Sequence, residues 1–143
     1  MSSESTGEAL LAHVVLPVAT EDDALATARA LEPYDPGRVT TLHVVEKGGG
    51  TPDKTPVEQS EELAEEAYAA VRSVFPDAGE HTAYGRDIAA EIFAAAEKVD
   101  ASAIAYQSRG GNRLTQFLSG DLSLELVTEA DRPVVALPRE EEK

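Results

Sequence analysis

Tyr106-Gln107-Ser108-Arg109-Gly110, followed after nine residues by Gly120-Asp121, carries the residue types and spacing best suited to chemistry in this chain. An apolar run precedes the segment and a helical pattern follows it, so it reads as a strand-to-helix loop, where an α/β sheet holds a phosphate. Gly110 allows a positive φ that other residues resist, and Gly120 lets backbone N–H groups approach an anion at a helix start. Ser108 adds a hydroxyl, and Arg109 and Arg113 add guanidinium groups that suit phosphate oxygens. Asp121, however, puts a carboxylate where that anion would sit. The loop is shaped for an anion and opposed by its own charge.

Other candidate groups carry less. His13, His43 and His81 are the only histidines, and the first two fall on neighbouring predicted strands, where a metal or acid–base pair is conceivable. Without cysteine or an HxxxH-like spacing, packing is the better reading for them. Ser108, Ser119 and Ser123 lie near the loop, but none sits in the GxSxG turn that activates a serine nucleophile. Glu61, Glu62, Glu65 and Glu66 have the spacing of a solvated helix face. The absence of cysteine also excludes disulfide frameworks and thiolate zinc sites.

The elements that must position the loop follow from periodicity. His13 to Val18 is nearly all apolar, as in a strand covered on both faces. Thr20-Glu21-Asp22-Asp23 then supplies a capping hydroxyl and first-turn acids, and Ala24, Ala28 and Leu31 continue at helical spacing until Pro33, Pro36 and Gly37. Val39 to Val45 is a β-branched second strand, and Gly48 to Pro52 a flexible loop. From about Pro56 to Val74, the residues Leu63, Ala67, Ala70, Val71 and Val74 predict an inward helical face. Glu80 to Tyr84 is a weaker strand; Asp87 caps a helix with Ile88, Ile92, Ala96 and Val99 inward; Ala101 to Tyr106 is a fourth strand. Leu118, Leu122, Leu126 and Val127 mark a last helix and Arg132 to Leu137 a fifth strand. Strict alternation predicts right-handed crossovers and a parallel sheet, with ligands beyond the C-terminal strand ends. That gathers Val18, Ala19, Val45 and the 107–121 loop around one crevice.

Composition bounds the rest. The 143 residues fit one domain, read as 11–138, with a leader over 1–10 and an acidic tail over 139–143. A net charge of −15, with four lysines, disfavours a nucleic-acid partner, which needs cations to replace counterions. It suits a high-salt cytoplasm, where a Debye length of about 3 Å at 1 M screens self-repulsion; an ordinary cytosolic acidic protein is the alternative. No apolar run is long enough to span a bilayer and no secretory signal is legible, so a cytoplasmic protein without membrane partners is expected.

The segments VVLPV, LHVV, GRDIAAEI, SRGGNRLTQFLSG and RPVVALP together resemble the universal stress protein family from Val14 to Leu137. The resemblance implies a three-layer Rossmann-like sandwich of the adenine nucleotide alpha hydrolase-like type, an α/β fold with a five-stranded parallel sheet and helices on both faces. It also implies a non-catalytic stress-response role and a homodimer joined through Val134, Val135, Ala136 and Leu137. An exposed apolar edge strand is a pairing site on physical grounds as well. In one branch of the family the loop holds ATP through glycine, two residues, glycine, nine residues, glycine, then Ser or Thr. Here Gln107 stands at the first glycine and Asp121 at the hydroxyl, with Gly110 and Gly120 retained, and Ala19 matches the acid that ends strand 1 in ATP-binding members. These departures predict weak or absent ATP binding and no resident cofactor, with action through the dimer or a regulatory protein partner. The alternative is a switch in which Ser108, Arg109, Gly110 and Gly120 hold ATP with Mg²⁺. A small adenylating enzyme or flavoprotein fragment is a third reading, opposed by the lack of a Walker lysine motif or an SGGxDS-like stretch.

Overall fold

A computed structural model describes residues 9–46, 55–107 and 120–138. The leader up to residue 8, the 48–52 loop, Ser108, Arg109, Gly110, Arg113, Leu118, Ser119 and the 139–143 tail lie outside the described residues. The elements are β1 (His13–Pro17), α1 (Glu21–Leu31), a 3₁₀ turn (Glu32–Tyr34), β2 (Arg38–Glu46), α2 (Thr55–Arg72), β3 (Gly79–Gly85), α3 (Ile88–Lys98), β4 (Ala103–Gln107), α4 (Gly120–Glu129) and β5 (Val134–Leu137). All strand pairs are parallel and the sheet order is β3-β2-β1-β4-β5. The chain winds outward from β1 through β2 to β3, then crosses back to place β4 on the other side of β1. Winding therefore reverses between β1 and β4.

Each face of the sheet buries its own core. Val14, Leu16 and Val18 of the β1 segment pack with Ala24, Ala28 and Leu31 of α1 and Ala67 and Val71 of α2. On the other face Val15, Leu42, Val44 and Ile104 pack with Ile92 and Ala96 of α3 and Leu126 of α4. Both faces of β1 and β4 are thus covered, which explains why they read as continuous apolar runs rather than alternating ones.

The helix ends follow the local chemistry. Thr20 caps α1 by accepting from Asp23 N–H at 3.2 Å, and Asp87 caps α3 by accepting from Ala90 N–H at 3.1 Å. Asp100 takes a left-handed φ of 57° after α3, and Ala101 N–H reaches back to Ala96 O at 2.9 Å. This closing turn uses Ala101 and moves the start of β4 to Ala103. The inward face of α2 also differs from the sequence reading. Leu63 is exposed, while Ala64 and Tyr68 are buried beside Ala67 and Val71. Tyr68 anchors the helix by donating its hydroxyl proton to His81 O at 2.9 Å, and burial pushes its pKa up to about 12.

The histidines do not form a pair. His13 lies opposite Arg38 at the start of β2, five positions from His43. Its Nε2 is 2.8 Å from Thr40 Oγ1, while His43 contacts Val18 and Ser60. Among the described residues, no group of three or more His, Asp or Glu could hold a metal ion, and no helix is long and apolar enough to cross a membrane.

Candidate functional site

The C-terminal ends of β1 and β4 lie side by side where the winding reverses, and the residues just beyond them frame the crevice. On the β1 side, Val18 extends the ladder by donating its N–H to Leu42 O at 2.9 Å. Val18 O accepts from His43 Nδ1 at 3.2 Å. That contact places the proton on Nδ1, so Nε2 accepts the Ser60 hydroxyl at 3.0 Å in the neutral ring. His43 thereby ties the end of β1 to α2. Val45, predicted to line the crevice, is wholly buried three positions past the residue of β2 that pairs with Pro17.

Ala19 stands where the resemblance puts an acid, and the structure supplies a carboxylate from elsewhere. Asp23, wholly buried in the first turn of α1, accepts the Ala19 N–H through Oδ2 at 2.8 Å. Its own N–H is held by Thr20 Oγ1, and its carbonyl accepts the Thr27 hydroxyl at 2.8 Å. The sequence showed Asp23 only as a first-turn acid. The three-residue spacing from Thr20 resembles a capping box, and that signal could have found it. Asp23→Ala leaves the Ala19 N–H without this acceptor and should cost about 2 kcal/mol, while Asp23→Asn keeps an acceptor and should recover at least half. Urea unfolding in molar KCl reads both, and indistinguishable midpoints for parent and Asp23→Ala would show that this bond is not limiting.

On the β4 side, Gln107 is buried and donates its Nε2–H to Pro138 O at 3.1 Å. The side chain at the first-glycine position is therefore spent on the residue after β5. Gly120 and Asp121 are the first two residues of α4, so the retained glycine opens that helix and Asp121 falls in its first turn, where the dipole favours an acid. Ser108, Arg109 and Gly110 lie outside the described residues. The structure thus brings Val18, Ala19 and Gln107 to one end of the sheet.

β5 forms the outer edge, with Val134 and Val135 half-buried, Ala136 exposed and Leu137 buried. Arg132 fixes its approach by donating from Nη1 to Ala101 O at 2.8 Å and Ala96 O at 3.2 Å.

Burial lowers the pKa of His13, His43 and His81 below the usual histidine value. The unfolded chain then binds more protons than the folded one as pH falls below about 6.5, so this contribution to stability is complete at neutral pH and lost on acidification. His43, the most buried of the three, should dominate. Between pH 7.5 and 5.5 the parent should lose more stability than His43→Asn, a difference that cancels the effect of carboxylate protonation on a chain of net charge −15. Parallel stability–pH curves for the two proteins would contradict it.

The universal stress protein family model matches residues 10–138. No curated protein matches the chain. Among solved structures, the universal stress protein from Archaeoglobus fulgidus in complex with dAMP is 24% identical with a TM-score of 0.66, covering 90% of this chain and 99% of its own. Universal stress protein UspA from Lactobacillus plantarum is 20% identical with a TM-score of 0.61, covering 91% and 99%. A universal stress protein in complex with cAMP is 10% identical with a TM-score of 0.63, covering 90% and 97%. These likenesses establish the Rossmann-like fold.

Proposed function

The chain belongs to the universal stress protein family, and from that premise we propose that it is a cytoplasmic, non-catalytic homodimer that binds ATP weakly or not at all. It acts through its dimer or a regulatory protein partner. The observation that carries this reading is Gln107. A glycine there would leave room at the mouth of the crevice, whereas this chain fills the position with a buried amide bonded to Pro138 O beside the β5 edge. Asp121 adds a carboxylate in the first turn of α4. In this reading the side chain at position 107, where the ATP-holding pattern has a glycine, and the carboxylate at position 121 both disfavour a bound triphosphate. The edge of β5, with Ala136 exposed, suits pairing with a second copy, whose matching segment would satisfy the outward backbone groups.

The second reading is an ATP switch. It is favoured by the retained Gly110 and Gly120, with Ser108 and Arg109 between the motif positions, and by the dAMP and cAMP held by two proteins of similar fold. Calorimetric titration of the protein with ATP and Mg²⁺ in molar KCl separates the two, alongside sedimentation and a phosphate-release assay. Silence in the titration with a dimer in sedimentation supports the first reading. A dissociation constant near micromolar, about −8 kcal/mol, replaces it with the switch, and steady phosphate release would make the protein an enzyme.

A further inference from the structure

Ser60, in the second turn of α2, meets an imidazole. Its Oγ lies 3.0 Å from His43 Nε2, and His43 Nδ1 lies 3.2 Å from Val18 O. With the Nδ1 proton held by that carbonyl, Nε2 offers its lone pair to the Ser60 O–H. Burial of His43 lowers its pKa and keeps the ring neutral at neutral pH. Hydroxyl, base and a group that orients the base thus stand in the order that activates a serine oxygen. Other hydroxyls differ. Ser73 donates to Ala70 O at 2.6 Å and Ser102 to Leu10 O at 2.8 Å, so each is held by a carbonyl, which is no base. Thr40 meets His13 Nε2 at 2.8 Å, but it is a secondary alcohol inside β2, flanked by its ladder partners Val15 and Gly79.

We propose that Ser60 is a nucleophile that takes an acyl group from a small, uncharged activated ester, with His43 as its general base. Ser60 Oγ attacks the ester carbonyl carbon as its proton passes to His43 Nε2. The new C–O bond forms, the bond to the leaving oxygen breaks, and His43 returns the proton to that oxygen or to solvent. The products are an ester on Ser60 and the free alcohol, with no change of oxidation state. The ligand class follows from the surroundings. Ser60 is half-buried, and Leu63 and Ala64, three and four residues on, share its side of the helix, with Leu63 39% exposed and Ala64 buried. An apolar neighbourhood suits a short neutral acyl chain better than a phosphoryl group, whose charges would lose water there. The step is a single transfer to the chain and not turnover.

The test is incubation of the full chain with p-nitrophenyl acetate at neutral pH in molar KCl, read by nitrophenolate release and by mass spectrometry of the peptides. The parent should release a burst of one nitrophenolate per chain and carry the acetyl group on Ser60, gained about a hundredfold faster than on Ser73 or Ser102. Ser60→Ala should abolish the burst, and His43→Gln should slow it about a hundredfold with Ser60 still in place. Thermal midpoints above the assay temperature show that both variants are folded, and the comparison with Ser73 and Ser102, made within the parent, stands without them. Acetylation of Ser60 no faster than of Ser73 and Ser102, or an unchanged rate in folded His43→Gln, overturns the proposal. Steady release beyond one equivalent overturns the single transfer in favour of ester hydrolysis.

Discussion

The double substitution Gln107→Gly and Asp121→Ser should tighten ATP binding about sixtyfold at 0.15 M salt and only about sixfold at 1 M. A carboxylate about 4 Å from a phosphate oxygen at an effective dielectric near 20 repels it by about 4 kcal/mol, or about a thousandfold before screening. Debye lengths of about 8 Å and 3 Å reduce that to about 2.5 and 1 kcal/mol. Salt dependence is thus the signature of Asp121, as distinct from the space opened at position 107. Gln107→Gly also gives up the bond to Pro138 O, at a stability cost of about 1 kcal/mol. Ala19→Asp is left out of the variant because Asp23 already holds the Ala19 N–H, and a second carboxylate beside it would be repelled. Calorimetry at the two salt concentrations reads the result. A gain independent of salt would remove Asp121 from the phosphate's neighbourhood, and no gain at either salt would mean that the crevice lacks a nucleotide site even when these positions are restored.

The architecture was legible because local signals agreed with the burial each strand needed. Val14 to Leu16 and Ala103 to Gln107 are covered on both faces, so their apolar runs announced a parallel sheet before any contact was known. Thr20 and Asp87 marked their helix starts because a cap is a local event, satisfied within three residues. The site was less legible, since its decisive contacts are long-range. Nothing near Gln107 in sequence announces a bond to a carbonyl 31 residues away, and the spacing of Asp23 from Thr20 marks a capping acid without telling that its carboxylate is buried and turned to the Ala19 N–H. Leu63 misled for a related reason. Helical periodicity fixes the spacing of an inward stripe but allows it to rotate by one residue, and the bulk of Tyr68 turned α2 toward Ala64.

Leu126→Ala should cost about 3 kcal/mol, the cost of removing a wholly buried leucine from a packed core. Leu126 packs in the core that holds Ile92, Ala96, Ala101, Ile104 and Tyr106, whereas its neighbour Val127 is about half exposed. Val127→Ala, on the same turn, should cost less than about 1 kcal/mol and serves as the control. The difference concerns the site as well as stability, because α4 begins with Gly120 and Asp121 and Leu126 is the described side chain that seats it on the sheet. A loosened α4 would leave its first turn, which begins at Gly120 and includes position 121, less firmly placed. In a protein that also carries Gln107→Gly and Asp121→Ser, Leu126→Ala should therefore lower ATP affinity even at temperatures where the fold persists. Chemical unfolding of Leu126→Ala and Val127→Ala in molar KCl checks the packing step: equal losses for the two would mean that the helix is seated by other residues, and the link from core to crevice would fail with it.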